Sequence, residues 1–167
     1  MSGVATPKFA LRPYLPDDAP LVAEIFRESI AELTSDDYTE AQQEAWASVA
    51  DDDARFIQKL GRQLTLVATL QGSAVGFASL EGIDKLDMLY VHPGVAGHGV
   101  GAMLADALEK LAGARGAKKL SVDASDSARG FFEKRGYVAQ QRNSVALGDE
   151  WLANTTLTKA LSAPGGH

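Results

Sequence analysis

Gly97, Gly99 and Gly101 alternate with His98 and Val100, and the run joins a stretch of β-forming residues to one with helical spacing. Glycines placed in this way let the backbone turn tightly and approach a ligand with no Cβ in between. Several N–H groups then point into one space. At a helix N-terminus such donors have no intrahelical partner and the helix dipole is positive, an arrangement suited to phosphate or pyrophosphate. A dinucleotide fingerprint would need G-x-G-x-x-G early in a βαβ unit, and a Walker loop would need Gly-Lys-Ser/Thr. The chain has neither. A second set of chemistry-bearing groups, the carboxylates Glu81, Asp84 and Asp87, lies just before this turn. Simple strand alternation directs Asp87 to the face shared by Leu89 and Val91, where it is either a general base or a solvated or salt-bridged strand carboxylate.

These residues need a strand, a turn and a helix to position them. Residues 86–91 carry Leu, Tyr and Val and are punctuated by Pro93 and Gly94, as a strand end should be. From Val100 the apolar residues Met103, Leu104, Ala107, Leu108 and Leu111 fall on one helical face, which predicts a helix over 100–113. Residues 118–124 form a further predicted strand, reached by crossover and therefore parallel to the first. A helix over 126–135 follows, closed by Gly136 as a left-handed C-cap.

The remaining elements are read in the same way. Residues 9–13 form a short strand stopped by Pro13 and Pro16, and Asp17 or Asp18 is placed to cap the next helix, whose face is Val22, Ile25, Phe26, Ile30 and Leu33. Thr39 and Gln42 have capping-box spacing, so a second helix starts there and carries Trp46. Asp51, Asp52 and Asp53 read as a solvated turn or helix start. Residues 54–60 read as a short helix ended by Gly61. Residues 64–70 and 74–80 form a hairpin about Gln71, Gly72 and Ser73. Two closing strands are predicted over 138–147 and 151–161.

The composition limits the function. The chain has 167 residues, 46% hydrophobic and 23% charged, as expected of a soluble globular protein of one domain. Domain boundaries are expected at 8–161, with a flexible N-terminus over 1–7 and a disordered tail over 162–167. With no apolar run of spanning length and no signal-peptide pattern, a cytoplasmic protein without a membrane partner is expected. The absence of cysteine excludes disulfides and thiolate catalysis, and the three histidines are not at metal-ligand spacing, so no metal is expected. A net charge of −6 argues against a nucleic-acid surface, which would normally show a basic patch, and mildly favours cationic substrates.

Tyr90-Val91-His92-Pro93 followed by Gly97-His98-Gly99-Val100-Gly101-Ala102 resembles motif A of the GNAT superfamily of acyl-CoA-dependent N-acyltransferases. That motif runs strand, V-x-P, then Arg/Gln-x-x-G-x-Gly/Ala into a helix. Downstream, Ser125-Asp-Ser-Ala-Arg-Gly-Phe-Phe-Glu-Lys-Arg-Gly-Tyr137 is similar to the family's second signature, A-x-x-F-Y-x-x-x-G-F. The likeness spans nearly the whole chain and is closest to a bacterial subgroup of largely unassigned acetyltransferases. It implies a mixed, mostly antiparallel α/β sheet of about six to seven strands. A parallel central pair would be splayed around CoA, and about four helices would flank the sheet.

The resemblance also implies site residues. Acetyl-CoA would be the co-substrate, held by the backbone of Leu89 and Val91 and by the N–H groups of Gly97, His98, Gly99, Val100, Gly101 and Ala102, with Ser125 and Phe131 nearby. The amide at Val91 or its neighbour would face the developing oxyanion. Asp87, then Glu81, would act as base, and Tyr38 and Trp46 would line the pocket of a small-molecule or peptide amine. Two positions depart from the family pattern. Ala96 takes the Arg/Gln place, and Phe132 takes that of a tyrosine which often protonates the leaving thiolate. Tyr38, Tyr90, Tyr137, Ser125, Ser127 or water would have to replace it, although Ser125 and Ser127 equally read as helix caps. A CoA-binding module with little or no turnover is the alternative function. A homodimer is left open.

Overall fold

The computed structural model describes residues 8–161; the expected flexible N-terminus and disordered tail lie outside these residues. In chain order the elements are β1 (Phe9–Pro13), α1 (Ala19–Leu33), α2 (Glu40–Ala47), α3 (Asp53–Arg62), β2 (Leu64–Leu70), β3 (Ser73–Glu81), β4 (Lys85–Val91), α4 (Val100–Ala114), β5 (Lys119–Ser125), α5 (Asp126–Lys134), β6 (Val138–Leu147) and β7 (Glu150–Ala160). The seven strands form one mixed sheet in the order β1-β2-β3-β4-β5-β7-β6, antiparallel throughout except for the β4–β5 pair. Among the described residues five α-helices flank it, at the five segments where helical spacing was read.

The two faces of the sheet bury separate cores. On one face, Val100, Leu104 and Leu108 of α4 and Phe132 of α5 pack on Leu66, Ala78, Leu80, Leu86, Leu120, Val122 and Leu157. On the other, Val22, Phe26 and Ile30 of α1 and Phe56 and Leu60 of α3 pack on Val67, Phe77 and Met88. Leu66 and Val67 fall on opposite faces, as strand alternation requires. Gly76 lets α4 lie close on β3: a Cβ there would stand 3.2 Å from both the Tyr90 carbonyl oxygen and Val100 Cγ1.

Several local expectations change on folding. Asp18 does not cap α1. Its carboxylate accepts from the Leu15 amide (2.8 Å) and from both terminal nitrogens of Arg12 (2.7 Å each), because a forked guanidinium is the stronger partner. Asp52 is the residue that caps α3, accepting from the Arg55 amide. Gly61 does not end α3, which continues to Arg62 with Gln63 as its C-cap. Nothing lies within 4 Å of a Cβ built at Gly61, so the helix passes through it and gives up only some backbone entropy. The Thr39–Gln42 capping box forms as expected, with each side chain bonded to the other residue's amide at 2.9 and 3.1 Å. The Gln42 amide group also donates to the Trp151 carbonyl and ties α2 to β7.

Candidate functional site

β4 and β5 pair at only two positions, Lys85 with Ser121 and Leu86 with Val122, and then part. A bulge lies at the point of parting: Ser79 of β3 faces Met88 while Leu80 faces Leu86, which leaves Asp87 as the extra residue of β4. A bulge twists its strand and re-aims the extra side chain. It also breaks the parity argument for Asp87. Leu89 and Val91 pack toward the α4 side, whereas the Asp87 carboxylate turns to the α3 side. There Oδ2 pairs with Lys59 Nζ at 3.1 Å and accepts from Gln63 Nε2 at 2.9 Å.

A cavity of about 350 Å³ fills the cleft between the parted strands. Leu89, Tyr90 and Val91 line it from β4, and Ala124 and Ser125 from β5. Its roof comes from Leu33 at the end of α1, from Tyr38 and Trp46, and from Val145, Leu147 and Leu152 of the β6–β7 hairpin. Asp87 and Asp123 stand on its wall, each one residue beyond the last paired register. Glu81 is an exposed residue at the end of β3 that does not line the cavity; among the described residues its carboxylate reaches only Gln63 Nε2, at 3.5 Å. The second candidate base therefore stands outside the chamber.

The glycine turn has the backbone its sequence requires. Gly97 and Gly99 have φ of 82° and 85°, and Gly99 is the left-handed N-cap of α4. A Cβ built at either position meets nothing within 4 Å, so it is the backbone conformation that calls for glycine here. The first amide of α4 to find a partner in this turn is that of Met103, bonded to the Gly99 carbonyl. The N–H groups of Val100, Gly101 and Ala102 have no acceptor among the described residues. The His98 amide does not, because it bonds to the Val95 carbonyl at 3.2 Å. The His98 ring turns back to the Val95 and Ala96 carbonyls. Gly101 has a packing role as well: a Cβ there would stand 3.4 Å from the Phe131 ring. Phe131 thus seats α4 against α5 and does not line the cavity, whereas Phe132, 3% exposed, does.

The hydroxyls near the chamber are largely committed. Tyr38 donates to the Ala153 carbonyl (2.6 Å) and accepts from the Asp126 amide (2.9 Å); burial raises the pKa of its phenol. Ser127 donates to Asp37, and Tyr137 lies away from the cavity with its hydroxyl on Glu109. Ser125 caps α5 by accepting from the Ala128 amide, and its own proton has no acceptor among the described residues. Tyr90 lines the chamber, and burial pushes its phenol far above the usual range, so it stays protonated. Its ring lies edge-on to Phe26, with Trp46 beyond at 6.3 Å.

Asp123 was missed in the sequence; it lies at the chamber because it follows Val122, the last residue of β5 paired with β4. It accepts from the Thr156 hydroxyl at 2.6 Å and pairs with Lys85 at 3.4 Å. Among the described residues no group of three or more His, Cys, Asp or Glu is placed to hold a metal ion, and no helix is long and apolar enough to cross a membrane.

The chain is similar to known proteins. A family model described as an acetyltransferase (GNAT) domain matches residues 34–152. The chain is 32% identical to an uncharacterized N-acetyltransferase, YafP, of Escherichia coli, over 86% of this chain and 91% of that protein. Among solved structures it is similar to a protein of Rhodopseudomonas palustris described as "GCN5-related N-acetyltransferase: aminotransferase, class-II". The two are 64% identical with a TM-score of 0.91, covering 96% of this chain and 99% of the other. The PaiA N-acetyltransferase of Thermoplasma acidophilum, solved in complex with coenzyme A, shares the fold at 18% identity. Its TM-score is 0.77, covering 92% of this chain and 99% of that one.

Proposed function

Because the chain belongs to the GNAT acetyltransferase family, we propose that it moves an acetyl group from acetyl-CoA to a primary amine of a small molecule or peptide. One observation carries this reading: the parting of β4 from β5 opens a chamber beside a left-handed glycine turn whose amides at Val100, Gly101 and Ala102 are unspent. The turn fits a pyrophosphate, and the cleft between the strands fits a pantetheine arm with the acetyl group toward Leu89 and Val91. Ala96 offers no cation there, so main-chain donors would carry the binding.

In the reaction the amine nitrogen attacks the thioester carbonyl carbon, the C–S bond breaks, and the nitrogen loses a proton. A β4 amide near Val91 would stabilise the developing oxyanion; a donor of this kind is worth about 3 kcal/mol elsewhere. Asp87 is the proposed base, through water, because it is the candidate carboxylate that reaches the chamber wall. Of the hydroxyls considered for protonating the thiolate, Ser125 and Tyr90 stand at the chamber with protons not given to a protein acceptor. Water is the third source, since a thiol pKa of about 8.5 makes thiolate departure accessible.

The chain would act as a single domain in the cytoplasm, with the amine acceptor as its partner. A homodimer paired along β6, whose outer edge is unpaired in the sheet, is compatible with this reading. Mass-spectrometric detection of an acetyl adduct on one member of pooled amines, above the protein-free background, tests it. Acetyl-CoA binding with no adduct in any pool would support the second reading, a CoA-binding module. Phe132, which puts an apolar ring on the cavity wall where the family often has a tyrosine hydroxyl, is the observation that favours it.

A further inference from the structure

No lysine, arginine or histidine lines the chamber among the described residues; its charged groups are Asp87 and Asp123. Their lysine partners, Lys59 and Lys85, lie outside the lining. Both donors to Asp87 hold Oδ2, and Oδ1 takes no protein donor among the described residues. Further out, Leu33, Trp46, Val145, Leu147 and Leu152 give the wall an apolar stretch beside Ser29, Thr34 and Asn154.

Building on the acetyl-transfer reading of this cavity, we propose that the acceptor is a primary monoamine on an apolar or aromatic body with no carboxylate. Its ammonium form is drawn to Asp87 Oδ1 at the parting of the strands, and its body covers the Leu33, Val145, Leu147 and Leu152 wall, removing apolar area from water. An amino acid would bring a carboxylate into a chamber whose charged lining groups are both carboxylates, the lysines that pair with them lying outside the lining. A polyamine with one ammonium at Asp87 Oδ1 would lay a further ammonium along the Leu33, Val145, Leu147 and Leu152 wall. The two carboxylates and the apolar roof thus select together: charge sets what the acceptor carries at the reacting end, and the roof sets what it carries at the other.

The test uses matched pairs on the full chain: phenethylamine against L-phenylalanine, isoamylamine against L-leucine, and spermidine, with kcat/KM read from CoA release and product mass. Each monoamine should exceed its amino acid by about 100-fold or more, and both should exceed spermidine. Equal or better use of an amino acid or of spermidine would overturn the assignment. Val145→Arg, at a partly exposed position on the wall, should narrow the phenethylamine-to-phenylalanine ratio at least tenfold; an unchanged ratio also overturns it. Calorimetry on CoA-saturated protein separates this proposal from the reaction it rests on. Phenethylamine binding without phenylalanine binding keeps the acceptor class even where no amine is acetylated, and equal or absent binding of both rejects it.

Discussion

The Tyr38 hydroxyl donates to the Ala153 carbonyl at 2.6 Å, a bond spanning 115 residues of sequence that joins the segment after α1 to β7 above the chamber. The same oxygen accepts from the Asp126 amide, and Ser127 reaches back to Asp37, so the roof is fastened to the start of α5 at two points. Tyr38→Phe would leave a carbonyl and an amide unpaired, each worth about 1–3 kcal/mol where burial is complete. The expected result is a lower Tm and a raised KM for the amine, with acetyl-CoA affinity kept. Thermal unfolding and steady-state kinetics check it. Loss of kcat alone would instead give Tyr38 a part in the chemistry.

Gly99 is held at φ 85°, where an L side chain costs about 1–2 kcal/mol. Gly99→Asp adds a carboxylate beside the unspent amides, so acetyl-CoA affinity should fall by more than the tenfold that ~1.4 kcal/mol represents. Gly99→Ala separates strain from charge and should lower Tm with a smaller loss of affinity. Gly61→Ala is the contrasting control: inside α3, with nothing near its built Cβ, it should stabilise by about 0.5–1 kcal/mol and leave affinity untouched. Calorimetric titration with acetyl-CoA compares all three proteins.

Asp87→Asn keeps the shape of the bulge and removes the charge. As base, Asp87 should contribute about 10²–10⁴-fold to kcat with little change in acetyl-CoA affinity. Glu81→Gln, outside the chamber, should change kcat by less than about twofold, in keeping with a surface change away from the reacting groups. Parallel kcat and Kd measurements on the two variants check the assignment. Comparable losses in both would move the base out of the chamber.

Asp18, 7% exposed, carries a pH-dependent part of the stability. Its hydrogen bonds from Arg12 hold the carboxylate below its ordinary pKa, reinforced by the Leu15 amide and opposed by desolvation. A depressed folded pKa means that this contribution is complete above the unfolded value of about 3.9 and is lost as pH falls through the lower folded value. Asp18→Asn should therefore cost about 1–3 kcal/mol at neutral pH, the upper end discounted because Arg12 is partly exposed. Urea unfolding of both proteins from pH 7 downward should show the gap closing below about pH 4.

Sequence pattern revealed much of this because it acts through local geometry. The glycine alternation, the Thr39–Gln42 box and the helical spacing after Val100 are short-range features, and each reappears in the fold. Asp87 shows the limit. A bulge adds one residue without changing composition or hydrophobic period, so strand parity put the carboxylate with Leu89 while the chain turns it to Lys59. Asp18 and Gly61 fail for a related reason. Each has a familiar local role, cap or stop, that a partner elsewhere or an unobstructed helix overrides. Phe131 and Phe132 are adjacent, and only the packing of α4 on α5 decides which of them faces the chamber.

The chain's two tryptophans occupy contrasting surroundings: Trp46 lines the chamber beside Tyr38, while Trp151 is 64% exposed. The protein thus has an optical reporter at the place where an acceptor would bind, alongside a second emitter facing water. Trp151→Phe removes the solvent-facing signal, and the remaining indole emission should shift or quench as the chamber fills. Occupancy could then be followed with no label and no turnover.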